Sequence, residues 1–205
     1  MKRLSSLVIL LALAPLAFSQ ISEIQRGYWT GGGHLGLSLK SNRFVVLDPP
    51  AGFVQPESDS YSKFSMGPWA AYFFLNGFAA GLDTKLRFEN GIGAYGLGPL
   101  LYYYYALSTK AALFATASMF YLSQSLGSGN IQPSNYLSFG GGPGLALFLH
   151  TNIALTMALL WESESRKLDY FTGSGMYEAR YTNSCFGLKV GFQKFFDCGR
   201  RTDLR

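Results

Sequence analysis

Residues 78–89 constrain the fold more tightly than any other stretch of the chain. One parity reads Phe78, Ala80, Leu82, Thr84, Leu86 and Phe88; the other reads Ala79, Gly81, Asp83, Lys85, Arg87 and Glu89. Successive side chains of a strand point to opposite faces, so this segment has one apolar face and one face carrying four charges. A helix would not separate the two sets in this way. The same split recurs at Trp29 to Leu39, set against His34, Ser38 and Lys40; at Ile153 to Trp161, running on to Glu162; and at Phe186 to Phe196, set against Lys189 and Gln193. Three of these apolar stripes are 11 residues long and the fourth is 9. A tilted membrane-spanning strand needs ~9–11 residues, whereas a strand in a soluble protein usually has about 5–6. Aromatic residues stand at the stripe ends (Trp29, Phe78, Phe88, Trp161, Phe186, Phe196), where the interfacial girdles of a membrane barrel belong.

Composition narrows the choice. Aromatic residues make up 16% of the chain and there are 24 glycines, against only 14% charged residues, yet no long apolar helix is legible after residue 20. A lipid-facing barrel fits this balance, and so does a dense soluble β-protein; stripe length and aromatic ends favour lipid. The first residues read as an address. Lys2 and Arg3 precede an apolar run from Leu7 to Ala14, and Ala17-Phe18-Ser19 offers small residues for cleavage before Gln20. Residues 1–19 are therefore expected to be a signal peptide, 20–196 a barrel domain and 197–205 a periplasmic tail. Removing Lys2 and Arg3 leaves 15 basic against 12 acidic residues. No basic stripe with interleaved aromatics points to nucleic acid.

Gly-Pro occurs three times in one context, at Gly67-Pro68, Gly98-Pro99 and Gly142-Pro143, each leading through an apolar or aromatic run into a short polar turn and another apolar strand. Even offsets from the prolines (Ala70, Tyr72, Phe74; Leu101, Tyr103, Tyr105; Leu145, Leu147, Leu149) read as the lipid face, with Trp69 and Phe73 leaving the first of these strands ambiguous. Three hairpins plus a first and a last strand predict an all-β fold: an eight-stranded, antiparallel, up-and-down transmembrane β-barrel. The strands are expected at 27–40, 61–75, 78–89, 93–106, 111–124, 135–150, 153–163 and 179–196. Turns near Asn76-Gly77, Ser108-Thr109 and Thr151-Asn152 are short, while 41–60, 125–134 and 164–178 are long, as periplasmic turns and outer loops are. Only 90–93 is shorter than that rule leads one to expect. Proline removes a ladder donor, so Pro68, Pro99 and Pro143 are expected at bulges or strained positions.

The Gly-Tyr-Trp-Thr-Gly-Gly-Gly segment at 27–33, the Gly-Pro hairpins and the closing Gly187 to Phe196 strand resemble the small outer-membrane β-barrel family of Gram-negative bacteria, that of the OmpA transmembrane domain, OmpX and the "porin family" proteins. The resemblance covers nearly all of the chain after residue 20. It implies a place in the bacterial outer membrane, contact with its lipid, and handling by the barrel-assembly machinery, to which an aromatic-ended last strand is a signal. Asp197 to Arg205 follow the terminal aromatic, where many members stop.

Inward-facing candidates for a lumen polar network are His34, Lys40, Asp83, Lys85, Arg87, Glu89, Glu162 and Lys189, with Ser38 and Gln193 on the same parity. Asp83, Lys85, Arg87 and Glu89 are expected to cancel among themselves and to plug a lumen that side chains largely fill. No enzyme is legible. His34 and Ser38 share a face but lie roughly 13 Å apart along a strand, and His150 sits at a turn with no carboxylate nearby in sequence. No cofactor is expected and no His/Cys cluster suggests a metal. Cys185 and Cys198 are separated by mostly extended chain, so no bridge between them is expected. The reading is a non-enzymatic barrel with a structural or interaction role, meeting an envelope partner through loops 41–60 or 164–178 or through the tail. The apolar residues in those loops (Arg43 to Leu47; Tyr170, Phe171 and Tyr177) read as partner contacts or, slightly better, as strands continued above the membrane. A small low-conductance pore and a soluble periplasmic lipocalin-like barrel, with its charged face outward, are the alternatives.

Overall fold

A computed structural model describes residues 21–46, 60–89, 92–124, 135–172 and 175–197, side chains at 22, 40–46, 60–61, 92, 166–172 and 175–182 excepted. The expected signal peptide and the tail beyond Asp197, with Cys198, lie outside the described residues, as do Leu47 to Asp59. Eight strands follow in chain order: β1 Tyr28–Val46, β2 Ser60–Leu75, β3 Phe78–Glu89, β4 Ile92–Ser108, β5 Ala111–Gln124, β6 Asn135–His150, β7 Ile153–Thr172 and β8 Gly175–Asp197. Each pairs antiparallel with its neighbour, and β8 returns to β1 to close the barrel. The up-and-down architecture expected from the alternation is the one observed.

Parity sorts the two faces. On β3, Ala79, Asp83, Lys85 and Arg87 are buried, while Leu82, Leu86 and Phe88 are exposed on the outer wall. The outer wall also carries Leu37, Leu39, Leu159, Phe186 and Phe192, each at least 61% exposed. A soluble protein rarely shows a contiguous apolar patch above ~600 Å². A barrel with this outside and a charged inside fits lipid, and the inverted, lipocalin-like arrangement is excluded because the charged parity points inward. The ambiguity at β2 resolves the same way: Trp69 and Phe73 are buried and Tyr72 and Phe74 are outside.

Two expectations need correcting. The prolines are not at bulges. Pro68, Pro99 and Pro143 pair in unbroken register with the preceding strand, opposite Gly33, Leu82 and Ala115. Toward the following strand two pairings drop out, between Met66↔Leu86 and Trp69↔Asp83, between Leu97↔Tyr121 and Leu100↔Ser118, and between Gly141↔Trp161 and Gly144↔Ala158, with the register identical on both sides of each gap. The ladder lacks a donor there but gains no residue. The glycine before each proline explains how the gap closes: the carbonyl oxygens of Thr84, Met119 and Leu159 lie where a Cβ on Gly67, Gly98 and Gly142 would sit. At the first site the Thr84 hydroxyl donates to the Pro68 carbonyl at 2.7 Å, which accounts for the one polar residue in the apolar stripe of β3. The register shifts fall elsewhere, at Phe73/Leu75, Ala106/Ser108 and Phe148/His150, just before the short turns.

The stretch 164–178 is not mainly loop. β7 and β8 stay paired from Ser165↔Thr182 to Thr172↔Gly175, and β1 follows β8 up to Val46↔Ala179. The apolar stripes end where the membrane would end, but a ladder needs only backbone partners, and no proline interrupts either strand. Tyr170, Phe171 and Tyr177, and Arg43 to Val46, thus belong to strands that continue beyond the stripes.

Gly67→Ala, Gly98→Ala and Gly142→Ala are each expected to lower the yield of folded barrel on refolding into detergent, read by the heat-dependent band shift in gels. Gly33→Ala, whose methyl would meet only the Gly67 carbonyl oxygen at 3.9 Å, should leave the yield unchanged. Thr84→Val should cost about 1 kcal/mol in urea unfolding from vesicles, the worth of one hydrogen bond.

Candidate functional site: the filled lumen

The lumen is lined by two chemistries at two heights. Near the short turns it is aromatic. Phe195 stacks on Phe73 and Phe148 at centroid separations of 6.1 and 5.3 Å, Tyr104 meets Phe73 and Phe114 at 5.7 and 5.4 Å, and Tyr102 joins Trp69 at 5.0 Å. These residues come from β2, β4, β5, β6 and β8, so the cluster spans the bore. Its polar tips are satisfied. The Tyr104 hydroxyl donates to Gln193 Oε1 at 2.8 Å, and Gln193 Nε2 donates to Thr30 Oγ1 at 2.8 Å. A short 3-10 turn at Ser22–Ile24 adds Ile21 and Ile24 to the same core. That turn is tied down by Gly77 N–H donating to the Ile24 carbonyl at 2.8 Å and Gly27 N–H donating to the Phe73 carbonyl at 2.9 Å. Gly77 can make this link because its φ of +78° suits glycine.

Toward the long-loop end the lumen is ionic. Lys63, from β2, donates to Glu162 Oε2 at 2.8 Å and to Glu164 Oε1 at 2.7 Å, both on β7. Lys85 also reaches Glu162, and Arg87 reaches Glu164, Glu89 and, at 3.0 Å, the Tyr136 hydroxyl. Lys189 meets Asp83 at 3.3 Å. Lys63, Lys85, Arg87 and Lys189 thus stand against Asp83, Glu89, Glu162 and Glu164, balanced four to four among these ion pairs. Lys85 also lies 4.8 Å from the centre of the Phe120 ring, which clusters with Leu122 and Tyr136.

The structure places the expected network residues as follows. Asp83, Lys85, Arg87, Glu89, Glu162 and Lys189 join it. His34 lines the lumen with its Nδ1 3.8 Å from Asp83 Oδ1, beyond hydrogen-bond distance, and neither atom has another hydrogen-bond partner among the described residues. Lys40 is placed by its backbone alone, opposite Cys185 and Tyr61. The four charges of β3 do not cancel among themselves: only Arg87–Glu89 pairs along the strand, and the others pair across the bore. Same-face neighbours on one strand are ~7 Å apart, while the far wall of a narrow barrel is within reach of a long side chain. Lys63 and Glu164 are absent from the sequence reading, although each is only 1% exposed. Parity held the signal: Lys63 lies on the Trp69–Phe73 face, and Glu164 follows Glu162 by one strand period.

Glu162, Glu164 and Cys185 bring ligand-type atoms within 4.8 Å of one another, but the Lys63 ammonium stands among them and serves as their cation. Cys185 is a buried free thiol.

No protein-family profile matches the sequence, and no curated protein does. Solved structures do. Outer membrane protein OprG from Pseudomonas aeruginosa shares 13% identity with a TM-score of 0.57 over 85% of this chain and 98% of that one. Outer membrane protein AlkL, determined by solid-state NMR in DMPC lipid bilayers, shares 11% identity with a TM-score of 0.57 over 91% of this chain and 98% of that one. At such identities the likeness is one of fold.

Lys63→Met should destabilise the barrel by about 3 kcal/mol, because it leaves two buried carboxylates sharing too little positive charge. Urea titration in vesicles measures this, and Lys63→Arg should recover part of the loss.

Proposed function

We propose that this chain, which has the fold of the small outer-membrane β-barrels, is a non-enzymatic protein of the bacterial outer membrane with a closed lumen, acting through the strands that rise above the membrane. The observation that carries the reading is the lumen itself: an aromatic layer drawn from five strands below, and a charge-balanced ion network above. An eight-stranded bore is only just wide enough for its own side chains, and here both layers are built of side chains that meet across it. The apolar outer wall, of a length suited to a bilayer, supports lipid as the surrounding medium. With the short turns facing the periplasm, the long strands face outward.

The interaction half of the reading rests on the protruding β1–β8–β7 ribbon. From Trp161↔Phe186 to the tip at Thr172↔Gly175 it extends roughly 36 Å along the strand direction. Extended ribbons present backbone edges that a partner protein can pair with. Handling by barrel-assembly machinery belongs to the same proposal, supported by the closing strand that ends in Phe195-Phe196-Asp197.

Planar-bilayer recording of the purified protein should show no steady conductance, and reproducible steps would overturn the closed lumen in favour of a small pore. Photo-crosslinking from position 170 in intact cells should capture an envelope protein. Recovery of lipid adducts alone would defeat the interaction role while leaving the closed lumen standing.

A further inference from the structure

Lys63 has a third contact besides its two carboxylates. Its Nζ lies 3.6 Å from the Cys185 sulfur, and the Cys185 thiol also points at Glu162 Oε2, 3.8 Å away. One buried carboxylate oxygen therefore touches both an amine and a thiol. Beside this group is a small internal cavity of about 20 Å³, lined by Ser65, Lys85, Ser118, Glu162 and Gly187 among others, with room for one water-sized molecule. Lys63 is on β2 and Cys185 on β8, the two strands that flank β1, so the contact spans the closing seam from inside.

We propose that Lys63 and Cys185 form a modification site, at which dioxygen converts the contact into a covalent nitrogen–oxygen–sulfur bridge between β2 and β8. The Lys63 ammonium first gives a proton to the Glu162 carboxylate, 2.8 Å from Nζ. The neutral amine, the thiol and one dioxygen then yield Nζ–O–Sγ and one water. Nitrogen and sulfur each lose two electrons, and both oxygen atoms are reduced, one ending in the bridge and one in water. The two hydrogens of that water come from the amine and the thiol. The flexible four-carbon lysine stem takes up the remaining approach of nitrogen to sulfur. Charge stays balanced, because the cation that disappears is matched by the carboxylate that has gained its proton. The cavity borders Glu162, the residue in contact with both reacting atoms. The proposal needs the exported, oxidising setting only for its occurrence in cells, and purified protein in air tests it without that premise.

The test uses the full chain, extracted from membranes in detergent, confirmed folded by its band shift, and incubated in oxygen-saturated buffer. After alkylation without reductant and proteolysis, mass spectrometry should find the Lys63 and Cys185 peptides joined, heavier than their sum by one oxygen less two hydrogens. Dithiothreitol should release both peptides, and Cys185→Ala should lack the linked species. Two results would overturn the bridge. In one, both peptides stay unlinked, with Cys185 recovered as an alkylated thiol or as its sulfinic acid, after oxygen and then hydrogen peroxide have been supplied. In the other, the link is direct between nitrogen and sulfur and has no added oxygen. Both readouts are made on the unsubstituted protein, so the folding of the variant does not enter them.

Discussion

A β-sheet immersed in lipid has no water to meet its backbone, so each N–H and C=O of the wall must find a partner inside the sheet. Closure of β8 on β1 is the pairing that meets the last of them, and it runs from Tyr28↔Asp197 to Val46↔Ala179. The rest of the structure follows from keeping that wall continuous. Where proline removes a donor, a glycine before it lets the next strand's carbonyl settle over the backbone, and at Pro68 a threonine hydroxyl takes up the exposed carbonyl. Three repeats of this device on β2, β4 and β6 have one physical cause, which is why Gly and Pro travel together along the sequence.

Once the wall is closed with eight strands, the interior has a set width and must be filled. Aromatic rings do this near the short turns, where the N-terminal isoleucines seal the end. Charges do it toward the long strands. Burying ion pairs is a costly way to fill space, and well-packed apolar residues often serve stability as well or better. The pairs give something that a uniformly apolar filling lacks. A register slip of one residue would turn Lys63, Lys85 and Arg87 out into lipid, so the network penalises the commonest error open to an alternating strand.

Much of the fold was legible because the alternation of a half-lipid, half-lumen strand is local and strong. On β3 both faces could be named residue by residue. On β2 they could not, since Trp69 and Phe73 are as apolar as the lipid-facing Tyr72 and Phe74; aromatic filling of the lumen erases the contrast on which parity depends. The bounds of β7 and β8 were set short at their upper ends for the opposite reason, although continued strands were the slightly better reading there. Above the membrane neither face has to be apolar, so the ladder persists after the pattern has faded. Glu164 fell in that stretch and was read as loop.

By itself the sequence determined which residues face in and which face out wherever the lumen face is polar, how long the spanning segments are, and where the short turns come, because each depends on a two-residue repeat or on adjacent turn residues. It could not determine which charges pair. Lys63 meets Glu162 and Glu164 from about one hundred positions away, and Lys189 meets Asp83 from the other side of the chain. Those partnerships depend on the stagger between strands accumulated around the closed barrel, which no single strand's pattern contains. Only the closed structure, by setting the bore narrow and the strands in register, decided that the four charges of β3 would be answered mainly from across the lumen.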